Sequence, residues 1–177
     1  MNFTIEELQL SGVLLIKSKA FHDKRGYFQE IFKDSVMEKI GLKFVQCNYS
    51  FSPKNVIRGL HYQQQPFSQG KMLIPLQGHI QDVVVDLRTK SPTFGQHLCV
   101  ELQDLSAMLF IPEGFAHGFA VVSEHAAVMY MCTKEYQPSA ECGIKFDDPD
   151  LNIPWKPQTP IVSSKDNSLP SWRELNF

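Results

Sequence analysis

Two short segments place histidine close to residues that could share acid–base chemistry with it. In residues 56–63, VIRGLHYQ, Arg58 and His61 lie three positions apart. Histidine titrates near neutral pH and can take a proton, whereas arginine binds phosphate through paired hydrogen bonds. Side chains three apart point to opposite faces of a regular strand, so a shared pocket requires the chain to bend at Gly59.

The second segment is PEGFAHGF at residues 112–119, which contains a P-x-G-x-x-H pattern from Pro112 to His117. That spacing is similar to the second motif of cupins, in which the histidine often binds a metal. A catalytic metal needs three protein ligands, and the H-x-H of the first cupin motif is absent from the sequence. A metal-free cupin is therefore the favoured interpretation, with His61, His79 and His117 as the alternative ligand set.

Tyr130 and four cations are further candidates whose roles depend on where the fold brings them. Tyr130 lies in the middle of an alternating segment and is expected to face inward, either as a proton donor or as a core residue. The cations are Arg25, Arg58, Lys71 and Lys165. Each alone is typical of a solvated surface charge, but if they converge they form a clamp for a diphosphate.

Length and composition favour one domain over residues 1–177 without an affinity for polyanions. The sequence has 177 residues, 43% of them hydrophobic, and a formal net charge of −2. That balance predicts no field for nucleic acid or an anionic membrane. No secretory signal or membrane-spanning run is visible, and the four cysteines form no C-x-x-C pair. We therefore expect free thiols and a cytoplasmic location.

The elements that must position these residues are mostly short strands. Alternation and β-rich runs predict strands at residues 13–16, 72–76, 80–87, 97–102, 108–111, 119–122 and 127–132. Turn residues separate these runs, which favours an all-β antiparallel sandwich or barrel. One short helix is predicted from Phe32, Val36 and Ile40, which are spaced four residues apart, with Asp34 or Ser35 as its cap and Gly41 as its end. Six of eleven prolines fall within residues 138–170, which predicts an irregular or short-helical cover.

With these segments assembled, the chain resembles the dTDP-4-dehydrorhamnose 3,5-epimerase family. The matching motifs appear in order along nearly the whole chain: DKRGYFQE at 23–30, VQCN at 45–48, RGLHYQ at 58–63, QGK at 69–71, DVVVDLR at 82–88, SPTFG at 91–95, PEGFAHGF at 112–119, Tyr130, Tyr136, ECGI at 141–144 and SSKD at 163–166.

The resemblance implies a metal-free, cofactor-free jelly-roll (cupin-like) β-sandwich with a few short helices, usually a homodimer. It also implies epimerisation at C3 and C5 of a 4-keto-6-deoxyhexose carried on dTDP, a step in dTDP-L-rhamnose and polysaccharide biosynthesis. By similarity His61 is the base, Asp166 its carboxylate partner and Tyr130 the acid on the opposite face. Lys71 would stabilise the oxygen of the enolate.

The same resemblance assigns the remaining polar residues to binding of the nucleotide sugar. Tyr136 matches the aromatic residue that stacks on thymine. The other expected binding residues are Arg25, Phe28, Glu30, Gln46, Asn48, Arg58, His117, Glu141 and Lys165.

Two departures from the family pattern leave the sugar open. Tyr49 stands where the family usually has histidine, and Lys156 interrupts a common Trp-Pro pair at Trp155 and Pro157. The alternatives are a single-carbon epimerase of another nucleotide-linked 4-keto sugar, a metal-dependent cupin such as an oxygenase, and a non-catalytic carbohydrate-binding sandwich.

Overall fold

The computed structural model describes residues 2–176, which form a sandwich of two antiparallel sheets. The strands of this range are β1 (Phe3–Glu7), β2 (Leu14–Ser18), β3 (Ala20–Asp23), β4 (Gly26–Gln29), β5 (Gln46–Pro53), β6 (Ile57–Gln63), β7 (Lys71–Gln77), β8 (His79–Asp86), β9 (His97–Gln103), β10 (Met108–Ile111), β11 (Phe115–Val121), β12 (His125–Cys132) and β13 (Glu141–Gly143). The helices are α1 (Asp34–Lys39), α2 (Ser164–Asn167) and two 3-10 turns at Pro138–Ala140 and Trp172–Glu174. The predicted all-β sandwich with few short helices is confirmed.

One sheet has the strand order β1-β2-β10-β7-β12-β5 and the other has the order β13-β6-β11-β8-β9. Strands β3 and β4 form a separate hairpin. Between the two sheets lies an apolar core in which Leu73 and Val128 of the first sheet join Ile80, Val84 and Phe119 of the second. The two sheets therefore meet through alternate residues of each strand, as the period of two requires.

Both outer faces of the sandwich are also covered. Helix α1 buries Met37 against Met72 and Ile74 of β7 on one side. On the other side the proline-rich segment places Trp155 against Val83 of β8. The predicted irregular cover is therefore confirmed. Among residues 2–176, no helix has the length and hydropathy needed to cross a membrane.

The predicted start of helix α1 is wrong, whereas its end is confirmed. The residue that precedes the helix is Lys33, which makes no side-chain capping bond, so neither Asp34 nor Ser35 caps it. Asp34 lies in the first turn instead, where its negative charge interacts favourably with the helix dipole. Gly41 follows the helix with φ of +74°, the left-handed conformation that glycine adopts at little cost.

Strand β5 was not predicted because its buried face is polar. Gln46, Asn48 and Ser50 face the interior, while Tyr49 and Phe51 face solvent. A hydrophobic pattern therefore gives the wrong face for this strand. Its position at the edge of the sheet, next to β12, makes this polar row part of a cleft between the two sheets.

Candidate active site

A bulge in β6 brings Arg58 and His61 to the same side of their strand. His117 of β11 pairs with His61, and Phe119 pairs with Arg58, so three steps on β6 oppose two steps on β11. The extra residue reverses the alternation, and both side chains line one cavity. Gly59 has φ of +112°, and an added Cβ there would lie 2.6 Å from the carbonyl oxygen of His117. The bend predicted at Gly59 is confirmed.

The C-terminal segment supplies a buried carboxylate to His61. Nε2 of His61 lies 2.8 Å from Oδ1 of Asp166, whose Oδ2 accepts a 3.1 Å bond from the backbone N–H of Gly59. Asp166 is 4% exposed and follows Ser163, whose hydroxyl accepts the N–H of Asp166 at the start of α2. Because a carboxylate only accepts, Nε2 of His61 carries the hydrogen, and Nδ1 keeps its lone pair.

Burial makes His61 a base at neutral pH. Burial of the ring lowers its pKa below the ordinary 6.5, and the hydrogen bond and charge of Asp166 oppose that effect only in part. The ring is therefore neutral near pH 7, with the Nδ1 lone pair available to accept a proton.

Lys71 and Tyr130 face the same cleft with their polar atoms unpaired. In the stretch from residue 2 to residue 176, neither the Lys71 ammonium nor the Tyr130 hydroxyl forms a hydrogen bond or ion pair. Burial lowers the pKa of Lys71, which the charges of Cys132, Glu141 and Asp82 oppose. Burial also raises the pKa of Tyr130, which keeps its phenol protonated. Both groups are free to bond to a ligand.

Two adjoining cavities of about 400 and 300 Å³ share His61, Lys71 and Tyr130 in their walls. The first is also lined by Ser50, Val56, Ile57, Arg58, His117, Phe119, Ile161, Val162, Ser163 and Asp166. The second is also lined by Gln46, Asn48, Tyr62, Gln63, Gln69, Cys132, Tyr136 and Glu141. The cleft is thus large enough for a small ligand and has the catalytic candidates at the junction of its two parts.

At the outer end of the cleft, one carboxylate links two expected binding residues. Oε2 of Glu141 accepts hydrogen bonds from the Tyr136 hydroxyl at 2.5 Å and from Lys165 Nζ at 2.6 Å. Burial raises the pKa of Glu141, but the bonds from Lys165 and Tyr136 lower it below its ordinary value. The structure therefore brings together an aromatic ring, a cation and an acceptor.

Three expected binding residues do not reach this cleft within one chain. Arg25 and Phe28 lie at the β3–β4 hairpin, where Arg25 pairs with Asp23 and Phe28 is 67% exposed. Glu30 accepts a bond from Asn2 and lines a different cavity.

The three histidines of the metal hypothesis do not converge. Nε2 of His61 and Nε2 of His117 are bonded to Asp166 and Asp82, and His79 pairs with Glu101. No group of three or more His, Cys, Asp or Glu within residues 2–176 is placed to hold a metal ion.

Sequence reasoning missed Asp82 and Cys132 and left the direction of Tyr49 open. Asp82 is an acidic residue in the middle of strand β8, on the same face as Ile80 and Val84, which is a recognisable pattern, whereas nothing in the sequence marks Cys132. Tyr49 is 63% exposed on the face of β5 opposite Asn48, so it does not line the cleft of its own chain.

Comparison with known proteins places this site in a family. The model of the dTDP-4-dehydrorhamnose 3,5-epimerase family matches residues 7–174. A curated relative of that name from Shigella flexneri is 44% identical over 162 residues, which cover 89% of this chain and 90% of the relative.

Solved structures give the same result for the fold. A dTDP-6-deoxy-D-glucose-3,5-epimerase from Legionella pneumophila, crystallised with dTDP-4-keto-L-rhamnose, has a TM-score of 0.93 and 39% identity, with 98% of this chain and 95% of that chain covered. A 3′-monoepimerase from Streptomyces bikiniensis, in complex with dTDP-quinovose, has a TM-score of 0.87 and 29% identity over 93% and 86% of the two chains. The chain therefore belongs to the dTDP-4-dehydrorhamnose 3,5-epimerase family and is an isomerase of the epimerase type.

Proposed function

We propose that this chain inverts C3 and C5 of dTDP-4-dehydro-6-deoxy-D-glucose to give dTDP-4-dehydro-L-rhamnose, as a step of dTDP-L-rhamnose synthesis. The observation that carries the proposal is the placement of a base and an acid on opposite sheets. His61 belongs to β6 of one sheet, while Tyr130 and Lys71 belong to β12 and β7 of the other, and all three line one cleft. A sugar ring between the sheets has a proton acceptor on one face and a proton donor on the other.

The chemistry follows from the C4 ketone of this substrate. A proton on either carbon beside the ketone is acidic because the resulting carbanion delocalises as an enolate. Nδ1 of His61 takes that proton, and the Lys71 ammonium stabilises the enolate oxygen. The Tyr130 hydroxyl then returns a proton to the same carbon from the opposite face, which inverts the centre.

The polar outer end of the cleft fits the nucleotide. Arg58 and Lys165 carry the positive charge for the diphosphate, and Tyr136 offers a ring face for thymine. Gln46, Asn48, His117 and Glu141 supply hydrogen-bonding groups around the sugar and the base. These assignments give a protein of net charge −2 a local site for a dianion.

Arg25, Phe28 and Glu30 bind substrate only if they come from a second copy of the chain, because they lie away from the cleft of their own chain. A homodimer is therefore part of the proposal. The exposed apolar row of Val45, which immediately precedes β5, and Tyr49 and Phe51 on β5 supports it, since such edge residues favour burial against a partner.

A mixing experiment tests this shared site. Arg25→Ala and His61→Asn chains, each inactive alone, are unfolded together, refolded and assayed. If Arg25 acts across the dimer, mixed dimers contain one intact site, and about a quarter of wild-type activity returns. If Arg25 acts within its own chain, no dimer contains an intact site and the mixture stays as inactive as its components. An Arg25→Ala protein that is fully active alone would show that Arg25 has no role.

A cytoplasmic location is also proposed, and the four cysteines, which form no disulfide, support it.

The test of the function itself is the stereochemistry of the product formed from dTDP-4-dehydro-6-deoxy-D-glucose. Inversion at both carbons is expected. Inversion at one carbon would instead assign the single-carbon activity of the kind named for the Streptomyces bikiniensis relative.

A further inference from the structure

A second histidine–carboxylate pair lies next to His61. His117 of β11 is the register partner of His61, and its Nε2 lies 2.9 Å from Oδ2 of Asp82 on β8. Because the carboxylate only accepts, Nε2 carries the hydrogen. Nδ1 of His117 is then an acceptor, and the ring lines the cleft.

Burying the carboxylate of Asp82 at this position costs free energy. It is 0% exposed and lies on the inner face of β8 between Ile80 and Val84, which both belong to the apolar core. Its Oδ1 has no hydrogen-bond partner within residues 2–176. An apolar residue would fill the same space without leaving a charged oxygen unpaired, so packing alone does not account for a carboxylate here.

We propose that Asp82 is a positioning residue of the active site, which fixes the His117 ring so that Nδ1 accepts a hydrogen bond from a hydroxyl of the bound sugar. The role of the sugar rests on the proposed function. Asp82 also helps to keep Lys71 protonated. Burial lowers the pKa of Lys71, and the charge of Asp82 opposes that lowering, as do Cys132 and Glu141.

Another buried carboxylate on the same strand provides a matched comparison. Asp86 is also 0% exposed, but both of its oxygens are fully engaged by Arg88, Ser91 and Thr93. It does not line the cleft. Asp86 therefore organises the loop after β8, whereas Asp82 faces a ring that contacts the cleft.

The experiment compares Asp82→Asn with Asp86→Asn. In Asp82→Asn the amide can turn its NH2 group to His117 and reverse the tautomer of the ring. We expect kcat/KM for the nucleotide sugar to fall about 10- to 100-fold, the effect typical of a lost orienting partner, with the affinity for dTDP alone unchanged. Asp86→Asn, measured per folded molecule, keeps the wild-type value. Wild-type kcat/KM in Asp82→Asn, or equal losses in both variants, would overturn the proposal.

A measurement on the wild-type protein tests the same point without relying on a variant that folds. Nitrogen-15 NMR of the histidine rings, with His117→Gln used only to assign the resonance, reports which ring nitrogen carries the hydrogen. The proposal requires a protonated Nε2 and an unprotonated Nδ1 on His117, and the reverse tautomer contradicts it. This result does not depend on turnover, so an inactive wild-type protein would reject the proposed function while the tautomer still decides the role of Asp82.

Discussion

Asp166 holds His61 through a 2.8 Å hydrogen bond between residues 105 positions apart in the chain. The other oxygen of the same carboxylate accepts the backbone N–H of Gly59, so one side chain fixes both the bulged strand β6 and the histidine ring on it. The C-terminal segment thus covers the sandwich and also sets which nitrogen of His61 faces the cleft. The carboxylate of Asp166 therefore connects the conformation of β6 to the orientation of the base.

Replacing Asp166 by Asn is expected to change both the rate and its pH dependence. His61 acts as a base when neutral, so wild-type kcat/KM should fall in acid with a midpoint below the ordinary histidine pKa of 6.5. Asp166 raises the pKa of His61, and without its charge that pKa falls further. The acidic midpoint should therefore move to lower pH while the plateau of the pH–rate profile drops. A midpoint that stays in place or rises would contradict this role.

Tyr130→Phe should separate proton removal from inversion. The variant keeps His61 and Lys71, so the enolate still forms and deuterium from D2O can enter on the face of His61. Without the hydroxyl, proton delivery from the opposite sheet is lost, and epimer formation should fall about 10²- to 10⁴-fold. NMR of the sugar distinguishes the two processes, because exchange with retention gives a deuterated substrate. Epimer formation at the wild-type rate would exclude Tyr130 as the acid.

Lys71→Met should lower the activity of the enzyme without lowering its stability. The variant removes a partly buried ammonium that has no hydrogen-bond partner in the described part of the chain, so its thermal stability should equal or exceed that of the wild type. Loss of the charge beside the enolate oxygen should lower kcat about 10²- to 10³-fold. Lys54→Met, which removes an exposed ion pair with Glu124, is the matched control and should leave kcat unchanged. A stable Lys71→Met enzyme with normal kcat would refute the role.

Ser163→Ala tests whether the start of α2 matters for catalysis through Asp166. The hydroxyl of Ser163 accepts the backbone N–H of Asp166, and loss of such a cap costs about 1 kcal/mol. The control is Ser171→Ala, which removes the capping box at Trp172–Glu174, away from the cleft. Both variants should lose stability, but only Ser163→Ala should lower kcat. Equal kcat values would show that Asp166 keeps its position without this cap.

Local patterns predicted the parts of the site that depend on local structure. Alternation placed Tyr130 on the inner face of its strand, and Gly59 indicated the bend that joins Arg58 to His61. The pairing of His61 with Asp166 was available only through the family resemblance, because no spacing rule relates residues 105 positions apart.

Other features were beyond sequence reasoning for physical reasons. The cap of α1 was misplaced because helix boundaries depend on the chain before them, and here Lys33 occupies the capping position. Arg25 and Phe28 match binding positions in sequence, but they lie away from the cleft of their own chain. A sequence motif does not show whether a residue contributes to the site of its own chain or to that of a second copy. No role was predicted for Asp82 because the apolar residues around it indicate a core strand, and the sequence does not show that its carboxylate meets His117 of a neighbouring strand.

The most direct test of His61 as the base of a metal-free epimerase is proton NMR of dTDP-4-dehydro-6-deoxy-D-glucose in D2O. The spectra are recorded with the wild-type enzyme, pretreated with a chelator, and with His61→Asn. The wild type should introduce deuterium at C3 and C5 and form the epimer, and His61→Asn should do so about 10²- to 10⁴-fold more slowly. Undiminished exchange in His61→Asn would contradict the assigned base. Shifted dTDP resonances with no exchange in the wild type would contradict the epimerase function itself.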